Sequence, residues 1–190
     1  MIPLRAARYA GQAPLHRVRL EDLPSAAPQE RRRVWRDAWP LLERAATRTN
    51  GGTEDEVVRT LLLGDAQLWS VFDSEAASPR LRSPREGLPS EAPSSCALRA
   101  TEDKQARRRA AVTTQITLIG EKGCRLWLVG GSHMAEWAAD FLAEIEPWAR
   151  SRGCTHVWGT QSRAGWQRIV RLFGGEPVIV NGKASWMRRF

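Results

Sequence analysis

The stretch CRLWLVGGSHMAEWAADFLAEIEPWARSRGCTHVWG, residues 124–159, determines the fold class. Its first part is rich in β-favouring side chains and ends at Gly130-Gly131, and residues 154–159 form a second short strand. Apolar side chains between the two strands recur at the i, i+3, i+4, i+7 spacing of a helix face: Met134, Trp137, Ala138, Phe141, Leu142, Ile145 and Trp148. We predict Ser132 as the N-cap of this helix. A helix that joins two strands of one sheet predicts a parallel crossover.

Upstream of this unit, the sequence predicts a strand over residues 110–119, with residues 121–123 as the turn that follows. A long amphipathic helix is predicted over residues 28–48, and we expect Pro40 to kink or split it.

Between these elements, Thr53 and Glu56 have the spacing of a capping box and predict a second helix. A strand follows over residues 66–73, and residues 14–20 alternate as a first strand.

Downstream, Ser162 is the predicted cap of a fourth helix, which ends at Gly174-Gly175. Asn181-Gly182 separates EPVIV from KASWMRRF, which predicts a C-terminal β-hairpin. The complete order predicts an α/β domain over residues 1–190, in which a mixed, twisted sheet of six or seven strands is flanked by about four helices.

One segment interrupts this pattern. Residues 74–104 hold Pro79, Pro84, Pro89 and Pro93 among serines and charged residues, so we predict a long loop insertion. Two interpretations are open: an insertion without a role, or a segment that a partner orders.

The composition is strongly basic, with a formal net charge of +8 in which arginine greatly outnumbers lysine. This bias follows either from a GC-rich genome or from contact with phosphates or acidic protein surfaces. Nine tryptophans against one tyrosine favour protein interfaces.

Several kinds of protein are disfavoured by the sequence. We expect no membrane span and no signal peptide, and therefore a cytoplasmic location in the producing cell. The three cysteines are odd in number and form no CxxC pair, which argues against a disulfide framework or a metal site. We predict Cys124 and Cys154 as small buried residues.

The predicted element order resembles that of the GNAT superfamily of acyl-CoA-dependent N-acetyltransferases, and the resemblance covers residues 14–190. The segments AWPLLERA, AQLWSVF, CRLWLVGG, FLAEIEPWARSRGC and RAGWQRIVRLFGG also resemble a group of small phage-encoded GNAT-like proteins. Some GNAT-like members of short-tailed phages are associated with virion assembly.

In GNAT enzymes a loop of pattern Q/R-x-x-G-x-G/A binds the CoA pyrophosphate with backbone amides at a helix N-terminus. With Gly131 as the central glycine, Leu128 and His133 depart from this pattern. The resemblance therefore implies a degraded CoA loop, formed by Val129, Gly130, Gly131, Ser132 and His133.

The proton donor of the superfamily, a tyrosine on or near the fourth helix, is missing from residues 160–175, and Trp166 cannot replace it. Of the other titratable groups, we interpret Glu121 as solvated. His156 either faces the cleft or is a satisfied packing residue. We predict no catalytic residue and no metal ligand.

These departures predict a non-catalytic GNAT-fold assembly protein of a phage virion, located in the host cytoplasm and then in the particle. Its partners would be other virion proteins of the portal, tail or ejection apparatus in an oligomeric assembly, with possible contact to packaged DNA. The alternative is an N-acetyltransferase with an atypical CoA loop, in which case acetyl-CoA is bound; otherwise no cofactor is expected.

The C-terminal region is the predicted partner surface, because its basic residues greatly outnumber Glu176, its one acid after position 162. The simpler interpretation is that positive charge protects a sheet edge from stray pairing. The alternative is a docking face, with Trp186 as its apolar anchor. The residues of this face are Arg163, Arg168, Arg171, Trp186, Arg188 and Arg189.

Overall fold

The computed structural model describes residues 15–73, 107–160, 170–171 and 174–190. The strands are β1 (His16–Glu21), β2 (Gln67–Asp73), β3 (Arg108–Ile119), β4 (Glu121–Gly131), β5 (His156–Thr160), β6 (Glu176–Val180) and β7 (Lys183–Arg189). The helices that these residues form completely are α1 (Pro28–Thr49), α2 (Glu54–Leu62) and α3 (Met134–Ser151).

All the strands belong to one seven-stranded sheet in the order β1-β2-β3-β4-β5-β7-β6. Strands β4 and β5 run parallel, and every other neighbouring pair is antiparallel. The predicted crossover, the mixed α/β sheet and the C-terminal hairpin are therefore confirmed.

Helices cover both faces of the sheet and create two hydrophobic cores. On one face α3 packs through Trp137, Phe141 and Ile145 against side chains of β2, β3 and β4. On the other face α1 and α2 pack against Leu68 and Leu128. Four of the nine tryptophans are at most 5% exposed, so a large part of the tryptophan content serves the fold: Trp69, Trp137, Trp158 and Trp186.

Helix α1 passes through Pro40 without a break from Pro28 to Thr49, so the expected split is wrong. Pro40 has no amide hydrogen, so it cannot donate to the Arg36 carbonyl one turn earlier. Both residues are exposed. Water can therefore hydrogen-bond the Arg36 carbonyl, which loses its helical partner.

The capping box of α2 is confirmed. The Thr53 hydroxyl accepts from the Glu56 amide at 3.4 Å, and the Thr53 amide donates to the Glu56 carboxylate at 2.7 Å.

Two predicted boundaries are wrong. The turn expected at residues 121–123 is part of β4, because Gly120 turns the chain in the left-handed region (φ 71°) and Ile119 pairs directly with Glu121. The N-cap of α3 is His133, also left-handed (φ 53°), and no side chain caps the helix. The Ser132 carbonyl instead accepts a hydrogen bond from the Trp137 indole at 2.8 Å.

The predicted insertion at 74–104 lies outside the described residues. So does most of the predicted fourth helix, of which Val170 and Arg171 are described and are helical. The organisation of residues 1–190 as a single domain stays a prediction.

The backbone of β4 packs tightly against α1 at Gly130, where a Cβ atom would lie 1.9 Å from the Leu41 carbonyl oxygen. We expect Gly130→Ala to lower the free energy of unfolding by about 2–3 kcal/mol, because backbone cannot move aside as a side chain can. The control is Gly120→Ala: its Cβ would meet nothing within 4 Å, and only the left-handed backbone costs about 1 kcal/mol. Urea denaturation of both variants measures the difference. Equal decreases in the free energy of unfolding would show that the backbone around Gly130 can move to make room for a Cβ atom.

Candidate functional site

A β-bulge at Trp127 distorts the middle of β4. Thr113 of β3 pairs with Leu128, whereas the next residue, Thr114, pairs with Leu126, so Trp127 is an extra residue without a partner on β3. The bulge reverses the alternation of the strand: Leu126 points into the core under α3, and Leu128 points into the core under α1. Bulges of this kind re-aim side chains and are frequent beside functional sites.

Strands β4 and β5 separate at the same point. Their parallel pairing runs from Gly123 with His156 to Leu126 with Gly159, and β4 then continues to Gly131 while β5 ends at Thr160. Among the described residues, no strand pairs with Trp127–Gly131 on this side. Backbone groups of the bulged segment therefore face an opening in the sheet.

This opening is a narrow cleft that the C-terminal end of α1 closes on one side. It has room for about 20 Å³, which is roughly the space of one water molecule. The lining residues are Ala45, Thr49, Leu126, Trp127, Val129, Gly159, Thr160 and Trp186. Sequence patterns did not reveal this set, because it comes from α1 and three strands that meet only in the folded chain.

Trp186 is buried beside this cleft, 5% exposed, and is part of the α3 core. A Cβ atom on Gly159 would lie 3.0 Å from the Trp186 Nε1 atom, so this glycine makes room for the indole. The prediction of Trp186 as a surface anchor is therefore wrong, because the indole packs inward from β7.

The structure brings Val129, Gly130, Gly131, Ser132 and His133 together where β4 ends and α3 begins. Both glycines have a packing role there, since Gly130 abuts α1 and Gly131 (φ 125°) lies against the Arg109 carbonyl. Leu128, which matches the Gln or Arg of the GNAT pattern when Gly131 is taken as the central glycine, is fully buried. Its apolar side chain belongs to the core and cannot contact a phosphate.

The electrostatics at the N-terminus of α3 oppose anion binding. Glu136 lies in the first turn and is 57% exposed, with its carboxylate 3.3 Å from the His133 Nδ1 atom. This negative charge already compensates the helix dipole. Arg109, on β3 beside Gly131, is paired with Asp73 at 2.5 Å, and that hydrogen bond is the main cause of the raised Arg109 pKa. A phosphate at this loop would therefore meet one carboxylate and an arginine that is already neutralised.

Two of the predicted partner-binding arginines are engaged in ion pairs. Arg188 contacts Glu146 of α3 at 2.6 Å, and Arg189 contacts Glu121 at 2.6 Å. Glu121 is exposed, as predicted, and in addition it accepts from the Thr155 hydroxyl at 3.1 Å. The hydrogen bond from Arg189 is the main cause of the lowered Glu121 pKa.

Of the three remaining arginines of the predicted docking face, the structure describes one. Arg171 is exposed, and Arg163 and Arg168 lie outside the described residues. Strand β6 is the edge of the sheet and carries Pro177, which has no amide to offer another strand. Proline therefore protects this edge, whereas the only charged residue of β6 is the acidic Glu176.

His156 lies at the far end of β5 from the cleft, paired with Gly123 and with Arg189. Its ring is buried against the Gly123 backbone, and its Nδ1 atom is 2.9 Å from the Thr155 hydroxyl. The interpretation as a packing residue is confirmed, because β5 directs this side chain away from the opening. Burial lowers the pKa of His156, which keeps the ring neutral at pH 7.

Cysteine and metal chemistry find no support in the described part of the chain. Burial raises the pKa of the Cys124 thiol to about 12, so this thiol stays protonated, and Cys154 is buried as predicted. No group of three or more His, Cys, Asp or Glu side chains among the described residues is arranged to hold a metal ion. No helix in the described ranges has the length and apolar character to cross a membrane.

Comparisons with known proteins identify the fold. No family profile and no curated sequence matches the chain. Aminoglycoside 6'-acetyltransferase type Ii aligns at 11% identity over 91% of this chain and 96% of its own, with a TM-score of 0.53. FeeM, an N-acyl amino acid synthase from uncultured soil microbes, aligns at 11% identity over 94% and 92%, with a TM-score of 0.51.

A GNAT family acetyltransferase from Elizabethkingia anophelis with acetyl-CoA bound aligns at 8% identity over 94% of this chain and all of its own, with a TM-score of 0.48. The two structures that align with TM-scores above 0.5 show that the chain has the GNAT fold, as predicted. The resemblance to the phage-encoded group stays a prediction.

The lowered pKa of His156 predicts how stability depends on pH. An unfolded histidine titrates near pH ~6.5 and the folded one below it, so the unfolded state binds more protons as the pH falls through this range. We expect the free energy of unfolding to fall between pH 7.5 and pH 5.5, and His156→Gln to flatten this dependence. Guanidinium denaturation across this range is the measurement, with His133→Gln, an exposed histidine, as the control. A dependence of equal steepness in His156→Gln would contradict the assignment.

Proposed function

We propose that the protein is a GNAT-type N-acyltransferase that receives the acyl group of an acyl-CoA in the cleft between β4 and β5. One observation carries the proposal: the bulge at Trp127 coincides with the last residue pair between these strands, Leu126 with Gly159. Two acyl-transferring proteins share the fold at TM-scores above 0.5, which supports the class.

In this reaction the nitrogen of an acceptor amine attacks the thioester carbonyl, the carbon–sulfur bond breaks, and CoA leaves as a thiolate. The opened backbone beside Trp127 supplies polar groups for the thioester, and the apolar side chains of Leu126 and Val129 exclude water from it. The cleft is so narrow that the acyl group must be small, which favours acetyl. Even acetyl requires the side chains around Thr160 to move aside.

The rest of an acyl-CoA fits this chain less well. At the loop between β4 and α3, the pyrophosphate would meet Glu136 in the first turn of α3. The described arginine beside this loop, Arg109, is already paired with Asp73. The sequence also has no tyrosine over residues 160–175, so the leaving thiolate takes its proton from water or from the attacking amine. We therefore expect weak binding of acetyl-CoA, with a Kd of about 0.1 mM, and slow turnover.

Calorimetric titration with acetyl-CoA tests the proposal. Thr160→Phe should fill the cleft and weaken binding by about tenfold or more, because the phenyl ring takes the space of the acetyl group. The matched control is Thr47→Phe, which adds the same ring on the exposed surface of α1 and should leave binding unchanged. Absence of binding at millimolar acetyl-CoA, or equal binding by folded Thr160→Phe, would contradict the proposal.

The acid at the start of α3 gives a second prediction. Glu136→Gln removes the negative charge from the helix N-terminus, and we expect it to strengthen CoA binding about two- to fivefold. Glu144→Gln, an exposed glutamate two turns further along the same helix, is the control and should change nothing. The ratio of the two dissociation constants at low salt is the readout. A ratio of one would mean that the phosphates lie elsewhere.

A second candidate function is a non-catalytic assembly role in a phage virion. The acid at the α3 N-terminus and the buried Leu128 together disfavour a pyrophosphate, which supports a role without CoA but does not itself point to a virion. Binding of acetyl-CoA distinguishes the two candidate functions, because the assembly role does not require it. Co-purification of the protein with virion components, without acetyl-CoA binding, would favour it.

A further inference from the structure

A second cavity, remote from the cleft, lies between the first half of α1 and the outer face of α2. Its volume is about 260 Å³, just below the ~300–1,000 Å³ of sites for drug-sized ligands. Its lining residues are Leu23, Pro28, Arg31, Arg32, Trp35, Val58 and Leu62. Trp35 precedes Ala45 of the cleft by almost three turns of α1, or about 15 Å, so the two sites are separate.

The wall of this cavity is apolar and partly fixed in place. The Trp35 indole donates to Glu54 of α2 at 2.7 Å and stacks on Trp39 at 5.3 Å between ring centroids. Leu62, another lining residue, is 39% exposed. Because the Trp35 side chain is already fixed, it loses little conformational entropy when an apolar ligand packs against it.

Two arginines line this cavity, and neither forms an ion pair with a described carboxylate. Arg31 uses its Nε atom to donate to the Ala26 carbonyl at 2.9 Å, and the exposed Arg32 makes no ion pair with a described carboxylate. Their neighbour Arg36 is paired with Asp37 at 3.6 Å. Two guanidinium groups beside an apolar cavity complement a ligand with an apolar chain and an anionic head.

We propose that this cavity, called here the α1–α2 pocket, binds a medium-chain fatty acid. The chain lies against Trp35, Val58 and Leu62, and the carboxylate meets Arg31 and Arg32. The cavity volume fits a chain of about eight to ten carbon atoms. This inference goes beyond the proposed acyltransferase activity and does not depend on it, since no acyl-CoA enters the argument.

The test is calorimetric titration of the full chain with decanoate below its micelle concentration. We expect a Kd of about 10–100 µM. Arg32→Ala should weaken binding about fivefold to tenfold through loss of the charge-assisted contact, and Arg33→Ala, an exposed neighbour that does not line the pocket, should bind as the unchanged protein does. Decanol should bind the unchanged protein and Arg32→Ala equally, because it has no charge to lose.

Filling the pocket separates it from non-specific surface binding. Val58→Trp places an indole in the cavity and should abolish decanoate binding, with circular dichroism and thermal unfolding confirming a folded protein. Three results would overturn the proposal: no decanoate binding below 1 mM, equal losses in Arg32→Ala and Arg33→Ala, or undiminished binding by folded Val58→Trp. Because Arg32 is exposed, its variant tests the proposal even if Val58→Trp fails to fold.

Discussion

The bulge at Trp127 decides which hydrophobic core each later side chain of β4 enters. Strand β4 lies in the middle of the sheet, antiparallel to β3 and parallel to β5, and both of its faces are covered by helices. One extra residue in such a strand moves every later side chain to the opposite face. Leu128 then fills the core under α1, and Gly130 reaches the backbone of that helix. The same residue ends the pairing with β5 and opens the cleft.

Local signals predicted the elements whose causes lie within a few residues. The apolar stripe of α3, the capping box at Thr53 and the Asn181-Gly182 hairpin were all confirmed, because periodicity and turn chemistry depend on neighbours in sequence. The bulge left no such signal, since the apolar run CRLWLVGG fits a buried strand in either register. The inward packing of Trp186 depends on Gly159, a contact between distant segments.

The placement of charge explains why the cleft favours acyl-CoA binding whereas the start of α3 disfavours it. The opened strands suit an acyl group, yet the first turn of α3 carries Glu136 where a phosphate would need positive potential. Arg109, Arg188 and Arg189 are each paired with an acidic side chain, so these three arginines are not open to an anionic ligand although the chain carries a net charge of +8. A positive charge can bind an anionic ligand only where no acidic side chain already neutralises it, and Arg32 meets this condition at the proposed α1–α2 pocket.

The most direct measurement of the central claim is a titration of the ¹⁵N-labelled protein with acetyl-CoA, followed by amide and indole chemical shifts. We expect the largest shifts on the amides from Trp127 to Gly131 and on those of Gly159 and Thr160, together with a shift of the Trp186 indole signal. Shifts confined to other parts of the sheet would contradict the claim that the bulge forms the acyl site. Unchanged spectra at millimolar acetyl-CoA would contradict it as well.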